Sequence, residues 1–455
     1  MAGGWNPMST NATPGNGRRN GSTAERDALK GRRAAFLERF EPLLAQIEAA
    51  RQTDLYPFYA SADPTGRTGT SPTVVLVAND YLGLSADSRV REAATRAIAE
   101  FGTSRCSSPL AGGHSPLHRR LEDRIARFLQ QEAATIFASG YQANVGIISA
   151  LVGRGDLILT DLFNHASIVD GARLSGAEVR FFQHNSPSHL DTVLEREAAG
   201  RRVLVVVEGV YSADGDIVHL PELCRVAHER GALVMLDEAH SLGVLGAGGR
   251  GAAEHFGLLG DVDIIMGTMS KSLASVGGFM AADRALVDAV AHSARSLIFS
   301  AALPPAGAAA ALTALEILDA EPERRERLWR NCRILLDGLK ARGFDTMGSE
   351  TPVIPIRVGD PARTIEFTAE LRRRGIFVCP AIPPMVQSHL SRVRGHVTAG
   401  HDPVVLELAL PVIEEVARSL AIIPERSGAD SGRRPDGRAA GRRPVAGEAT
   451  ARSVQ

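Results

Sequence analysis

The chain has 455 residues, 44% of them hydrophobic and 23% charged, with a formal net charge of −1. That is enough apolar material for one large or two medium domains and excludes a small stapled scaffold; the near-zero charge removes the field that would gather nucleic acid or an anionic membrane. Four cysteines (Cys106, Cys224, Cys332, Cys379) show neither CxxC nor Cys/His ligand spacing, so no metal site or disulfide framework is expected, and a cytoplasmic setting is.

Residues 1–28 are rich in Gly, Asn, Ser and Thr and lack an apolar leader core, which predicts a disordered tail, followed by an N-terminal segment over 29–75. No run reaches the ~18 apolar residues that a membrane span needs. From 76 to 305 helical and strand patterns alternate. A helix at "LHRRLEDRIARFLQ" precedes the strand "ATIFAS", "LILTD" (157–161) precedes the helix "HASIVDGARLSG", and "VLVVVEGV" (203–210) precedes the glycine-closed helix "LPELCRVAHERG". "ALVMLDEA" (232–239) and "VDIIMGTM" (262–269) follow. These strands are continuously apolar, as strands covered on both faces are, so the class is α/β: a mostly parallel sheet with helices on both faces and ligands at its carboxyl edge. Residues 306–425 change texture to long helices around "TPVIPIRVG", "GIFVCPAIPP" and "SRVRGHVTAG", which predicts a smaller C-terminal α+β domain. An Arg/Gly-rich segment, 426–455, is expected to be a second disordered tail.

Four polar clusters fall at strand ends: "NHASIVDG", "EGVYSADGD" (Glu208 to Asp216), "DEAHS" (Asp237 to Ser241) and "TMSKS". The last contains Lys271, a lysine set among small and hydroxylated residues. An amine in an apolar pocket or beside another cation has a lowered pKa and can form a Schiff base. Ser270, Ser272, Gly277 and Gly278 leave room there for a flat cofactor.

From "NDYLGL" (Asn79 to Leu84) through "ASGYQAN", "NHASIVDG", "EGVYSADGDI", "DEAHSLGVLGAGGRG", "GTMSKS" and "FSAALPP" to "SRVRGHVTAGHD", the sequence resembles the fold-type I pyridoxal phosphate enzymes. Within them it is similar to the α-oxoamine synthases, a group that includes serine palmitoyltransferase, 8-amino-7-oxononanoate synthase and 2-amino-3-ketobutyrate CoA ligase. The motifs are individually weak and collinear over most of the chain. The resemblance implies a seven-stranded, mostly parallel sheet with a small C-terminal domain, and pyridoxal 5'-phosphate as cofactor. It implies that Lys271 carries the cofactor and serves as base, that Asp237 pairs with the pyridine nitrogen, and that His240 and Ser212 bond the phenolic oxygen. His165 would stack on the ring, while Gly140 and Tyr141, at a helix N-terminus, and Thr268 would hold the phosphate. Ser300 would reach the phosphate from the neighbouring subunit, which implies a homodimer with shared active sites. Arg394 would bind the amino-acid carboxylate, with Asn79 close by.

The implied reaction joins a small amino acid to an acyl thioester, on CoA or an acyl carrier protein, and gives an α-amino ketone, CO2 and free thiol. An aminotransferase of the same fold is the alternative, because Lys271 and Asp237 are generic to the cofactor; a non-catalytic partner subunit is another, against which the presence of Lys271 speaks. The chain departs from the group at Gly102–His118, where Pro109 replaces the usual arginine and Gly112, Gly113 and His114 replace an Asn-Gly-Thr turn. Ile382 stands where bacterial serine palmitoyltransferase has arginine, and Met385 where several relatives have threonine. The basic residue used for a pimeloyl carboxylate has no clear equivalent near "RQTDLYPFY". These departures predict a specificity other than serine with palmitoyl-CoA: glycine or alanine, or serine with another thioester, with His114 as an alternative donor.

Overall fold

The computed structural model describes residues 23–53, 55, 74–383 and 385–424. The C-terminal tail expected at 426–455 and residues 1–22 of the N-terminal one lie outside the described residues. A helix, Thr23–Glu38, starts inside the segment expected to lack structure and is followed by a second, Glu41–Gln52. Its Ala, Leu, Glu, Arg and Lys content favours helix, a signal hidden when the Gly- and Asn-rich residues before it are averaged in.

Twelve strands are described: β1 (Val74–Val75), β2 (Ala133–Phe137), β3 (Leu157–Asp161), β4 (Glu178–Phe182), β5 (Val203–Glu208), β6 (Leu233–Asp237), β7 (Ile264–Thr268), β8 (Gly278–Ala282), β9 (Val353–Arg357), β10 (Ile376–Phe377), β11 (Cys379–Ala381) and β12 (Arg392–His396). Seven form one sheet in the order β2-β8-β7-β6-β5-β3-β4. All run parallel except β8, which is antiparallel to both neighbours. The chain turns directly from β7 into β8, too short a link for the crossover a parallel pair needs. That hairpin carries Lys271.

Alternate residues of each strand feed two cores, which is why the runs look uniformly apolar. Val203, Val205 and Val207 pack into one cluster with Leu157, Leu236 and Ile265, whereas Leu204 and Val206 join Ile158, Met235 and Met266 on the other face. Each such side chain contributes about 1.5–3 kcal/mol relative to exposure. The helix Pro305–Ala320 also belongs to the first cluster, through Ala308, Ala311, Leu315 and Leu318. The helix that opens the segment expected to form the small domain thus packs on the large sheet's core; an alanine-rich helix reads the same whichever domain it covers.

The smaller domain has a three-stranded antiparallel sheet, β11-β12-β9, and its own core. Val74 and Leu76 are buried in that core, and β1 pairs with β10. The chain thus leaves the small domain immediately before Asn79 and delivers the "NDYLGL" segment into the cleft between the domains.

At the carboxyl edge, a partly buried polar network ties the end of β3 to the loop after β5. His184 bonds Asp161 at 2.9 Å and Asp216 at 3.1 Å, and the Tyr211 hydroxyl donates to Asp161 at 3.0 Å. Burial opposes charge on His184, but the two carboxylates outweigh it and raise its pKa to about 10. Because the folded pKa lies above the unfolded one, this stabilisation is complete below pH about 6.5 and is lost as pH rises towards about 10. His184→Ala is expected to lower unfolding free energy by about 2 kcal/mol at neutral pH. In urea unfolding the gap to wild type should narrow between pH 7 and 10; a gap independent of pH would show that His184 is not charged.

Candidate active site

Five parallel strands end on one edge, and each delivers polar residues there. Gly140 follows β2, Lys271 follows β7, Asp237 ends β6, Glu208 ends β5 with Ser212 beyond it, and His165 follows β3. In sheet order these strands are β2, β7, β6, β5 and β3, with β8 between the first two, so residues far apart in sequence become neighbours in a row.

Asp237 is buried, and two donors fix its carboxylate: Asn144 Nδ2 at 2.8 Å and the Ala239 N–H at 2.9 Å. Glu208 pairs in register with Asp237 on the adjacent strand and therefore shares its face. Burial and then the Asp237 charge push the Glu208 carboxyl up from its usual range, while its oxygens accept the His165 and Ser212 N–H groups. Lys271 stands opposite. Burial pushes its ammonium down to about 8 and Arg394 adds to this, against the attraction of Asp237 and Glu208. At that value roughly a fifth of the amine is neutral near pH 7.4, a few hundredfold more than at a lysine's usual pKa, and the neutral form is the nucleophile.

His165 caps the helix Ala166–Ser175, its Nδ1 accepting the Ser167 N–H at 3.2 Å. Its pKa is lowered by burial, then by Lys271 and Arg394, so the ring is neutral with its proton on Nε2. His240 is buried, and its Nδ1 lies 2.7 Å from the Tyr81 hydroxyl. Burial drives Tyr81's ionisation far up and His240's protonation well down, so the phenol donates and His240 also keeps its proton on Nε2. A hydrogen bond from Tyr81 thus sets which face of His240 is the donor.

The expected phosphate site is a close approach of backbones. The helix Gly140–Leu151 is capped by Ser139, whose side chain accepts the Gln142 N–H at 3.1 Å and leaves those of Gly140 and Tyr141 for an anion. A Cβ on Gly140 would lie 2.9 Å from Thr268 Oγ1, and one on Gly278 would lie 2.7 Å from Gly140 Cα. Only glycine lets the helix end approach the lysine hairpin this closely. Gly277, at φ +134°, completes the turn. The Tyr141 side chain points away to Asp170 and is half exposed. Ser300 accepts a hydrogen bond from Gln142 Nε2 at 3.2 Å, which places it by the same helix end within its own chain.

On the small-domain side, Arg394 Nη1 donates to the Ser212 carbonyl at 2.6 Å, while Arg394 Nε is buried without a partner. Asn79 Oδ1 is another buried atom without one. A donor and an acceptor left open in a cleft suit a bound amino acid. His114, the alternative donor, is instead engaged by Glu122 at 2.9 Å in a separate cavity that Pro109 and Leu110 also line. Tyr81, Asn144, Glu208 and His396 carry no role in the sequence reading, although each lies within a quoted motif, Asn144 one helical turn after Gly140.

The fit is that of pyridoxal phosphate: an anion cradle, an amine of lowered pKa, a fixed buried carboxylate and two neutral imidazoles presenting Nε2 protons. The fold and site thus define a pyridoxal phosphate enzyme of fold type I. Residues 71–413 match the family "Aminotransferase class I and II". The 8-amino-7-oxononanoate synthase of Geobacter metallireducens is 46% identical over 77% of this chain and 90% of the relative. The serine palmitoyltransferase of Sphingobacterium spiritivorum is 41% identical over 78% and 90%. A solved serine palmitoyltransferase from S. paucimobilis superposes with a TM-score of 0.81 at 34% identity, covering 85% of this chain and 99% of that one. The chain belongs to this aminotransferase-fold family and, within it, to the α-oxoamine synthases: it is a pyridoxal-phosphate-dependent C-acyltransferase that condenses an amino acid with an acyl thioester with loss of CO2.

Proposed function

We infer that Lys271 is both the cofactor-bearing residue and the base of the reaction, with a small amino acid held on the Arg394 and Asn79 side of the cleft. When bound, pyridoxal phosphate supplies a sink for negative charge developing at the amino-acid Cα. Asp237, held by Asn144 and Ala239, keeps that sink polarised by facing the ring nitrogen. His240, through the Nε2 proton that Tyr81 fixes, and Ser212 would donate to the phenolic oxygen. His165 would cover the ring face, and Gly140, Tyr141 and Thr268 would take the phosphate. Arg394 holds the carboxylate until CO2 leaves, and Lys271 Nζ removes and returns the Cα proton.

The acyl thioester enters beside this set. A cavity of about 310 Å³ is lined by Leu162 and Phe163, just before His165, by Ala213, just after Ser212, and by Met385 and Val386 of the small domain. Its mixed lining suits an acyl group delivered on CoA or on a carrier protein, and Met385 replaces a smaller polar group at its rim. We place the enzyme in the cytoplasm as a homodimer in which Ser300 serves the partner's phosphate site; the exposed Phe299, Val276 and Tyr141 beside the cradle support that assembly. No described helix is long and apolar enough to cross a membrane.

The observation that carries this reading is the convergence of Lys271, lowered to about 8, on Asp237 and two neutral histidines. The purified holoenzyme, offered glycine, alanine or serine with a panel of acyl thioesters, is expected to release thiol and amino-acid-derived CO2 in equal amounts. Keto-acid formation from the amino acid without thiol release would replace this reading with transamination.

A further inference from the structure

β12 alternates. Val393 points into the small-domain core, so Arg392, Arg394 and His396 share the opposite face, towards the large domain. Arg392 is buried and pairs with Asp214 at 2.6 Å, and Arg394 bonds the Ser212 carbonyl. The third member of the row is different. His396 is 1% exposed, yet neither ring nitrogen makes a well-formed hydrogen bond, the Leu76 backbone giving the ring only a weak contact. A buried imidazole with donor and acceptor both unsatisfied is rare, because each unmade bond forfeits the solvation lost on burial.

The ring is packed at the amino-acid side of the cleft. It stacks on His240 with centroids 6.4 Å apart and an interplanar angle of 19°, and meets Tyr81 edge-on at 6.4 Å. Burial, then Arg394 and Lys271, hold its protonation well below the usual range against the Leu76 backbone, which places it within the field of both groups that handle the substrate. Arg394 Nε, two residues before His396 on the strand, and Asn79 Oδ1, two residues before Tyr81, are also buried without partners. With the carboxylate assigned to Arg394, the unmet requirement is for a small group that both donates and accepts. A neutral imidazole offers one donor and one acceptor, and a hydroxyl is the smallest group that matches both.

We propose that His396 is the side-chain-reading residue of the amino-acid subsite and selects a small amino acid bearing a β-hydroxyl. The inference rests on the amino-acid subsite described under Proposed function. It separates the options that the Gly102–His118 loop leaves open: His114 is engaged by Glu122, and the hydroxyl-matching group comes from the small domain instead. Glycine and alanine would leave both His396 nitrogens unpaired in the complex, a penalty a hydrogen-bonding site imposes on analogues lacking the hydroxyl.

The test is titration of the holoenzyme with L-serine, L-alanine and glycine, followed by the change in the visible band of the lysine-bound cofactor, without any thioester. Wild type is expected to bind L-serine about tenfold or more tightly than L-alanine. His396→Ala should weaken L-serine by about that factor while L-alanine shifts by less than about threefold, and His396→Asn, which keeps a donor and an acceptor, should restore part of the preference. Equal serine and alanine affinities in wild type overturn the proposal, as does an unchanged preference in His396→Ala. Should His396→Ala fail to retain cofactor, His396→Asn and His396→Val, one polar and one apolar at similar size, decide it by the same ratio. A cofactor band that responds to no amino acid overturns the amino-acid subsite and, with it, this assignment, whereas a response lacking serine preference overturns the His396 assignment alone.

Discussion

Lys271→Ala is expected to abolish condensation, with turnover reduced by about 10⁴-fold or more, because the residue that holds the cofactor and moves the Cα proton would be lost together. The melting temperature of the cofactor-free protein should not fall. Lys271 is a buried cation whose pKa is depressed to about 8, so the fold carries a desolvation cost for charging it that alanine removes. The same depression gives a pH signature in the wild-type apoprotein. Its sign follows from the direction of the shift: the neutral, reactive amine appears as pH rises through about 8 instead of above 10. The rate of pyridoxal phosphate capture should therefore climb about tenfold per pH unit below that value and level off above it. Product formation by Lys271→Ala within about tenfold of wild type would remove the lysine from the mechanism.

The second large effect is expected at Asp237. Asp237→Asn should keep the cofactor but slow exchange of the Cα proton by roughly 10²–10⁴-fold, since a neutral amide cannot hold the ring nitrogen in its protonated form. The substitution also unbalances the local hydrogen bonds. Both carboxylate oxygens accept, from Asn144 and from Ala239, and an asparagine must turn an NH2 group towards one of these donors. A further readout lies in Lys271. Asp237 is the largest influence holding the lysine's pKa up against burial, so its neutralisation should move the cofactor-capture midpoint below about 8. An unchanged exchange rate and an unchanged midpoint would show that Asp237 faces neither the ring nitrogen nor the lysine.

The lysine, the aspartate and the two histidines are visible in the sequence for one reason. Each follows an apolar strand run by a few residues, and a polar group at that place in a parallel sheet faces the ligand edge. Tyr81 and Asn144 carry no such mark. Tyr81 lies 159 residues from His240, and Asn144 lies 93 from Asp237, so their roles exist only once the strands are ordered. His396 occupies a strand position whose neighbours Val393 and Val397 are core; which side of that strand meets the cleft depends on how the small domain packs. The glycines illustrate the same division. Gly140 reads as the start of a helix, but the reason it must be glycine is Thr268, brought to it across the sheet.

Composition hides the N-terminal helix and leaves the allegiance of the alanine-rich helix open, because composition averages over neighbours while burial does not. Ala308 to Leu318 could cover either domain by pattern; packing against the first core settles it. The sequence by itself determined the α/β class and which polar residues end the apolar runs, because those runs and the residue types that end them are local properties. Only the tertiary structure decided the tautomer of His240, the lowered pKa of Lys271, the engagement of His114 by Glu122 and the open nitrogens of His396. Those depend on burial and on partners contributed by distant segments, and neither burial nor partnership is defined until the chain has folded.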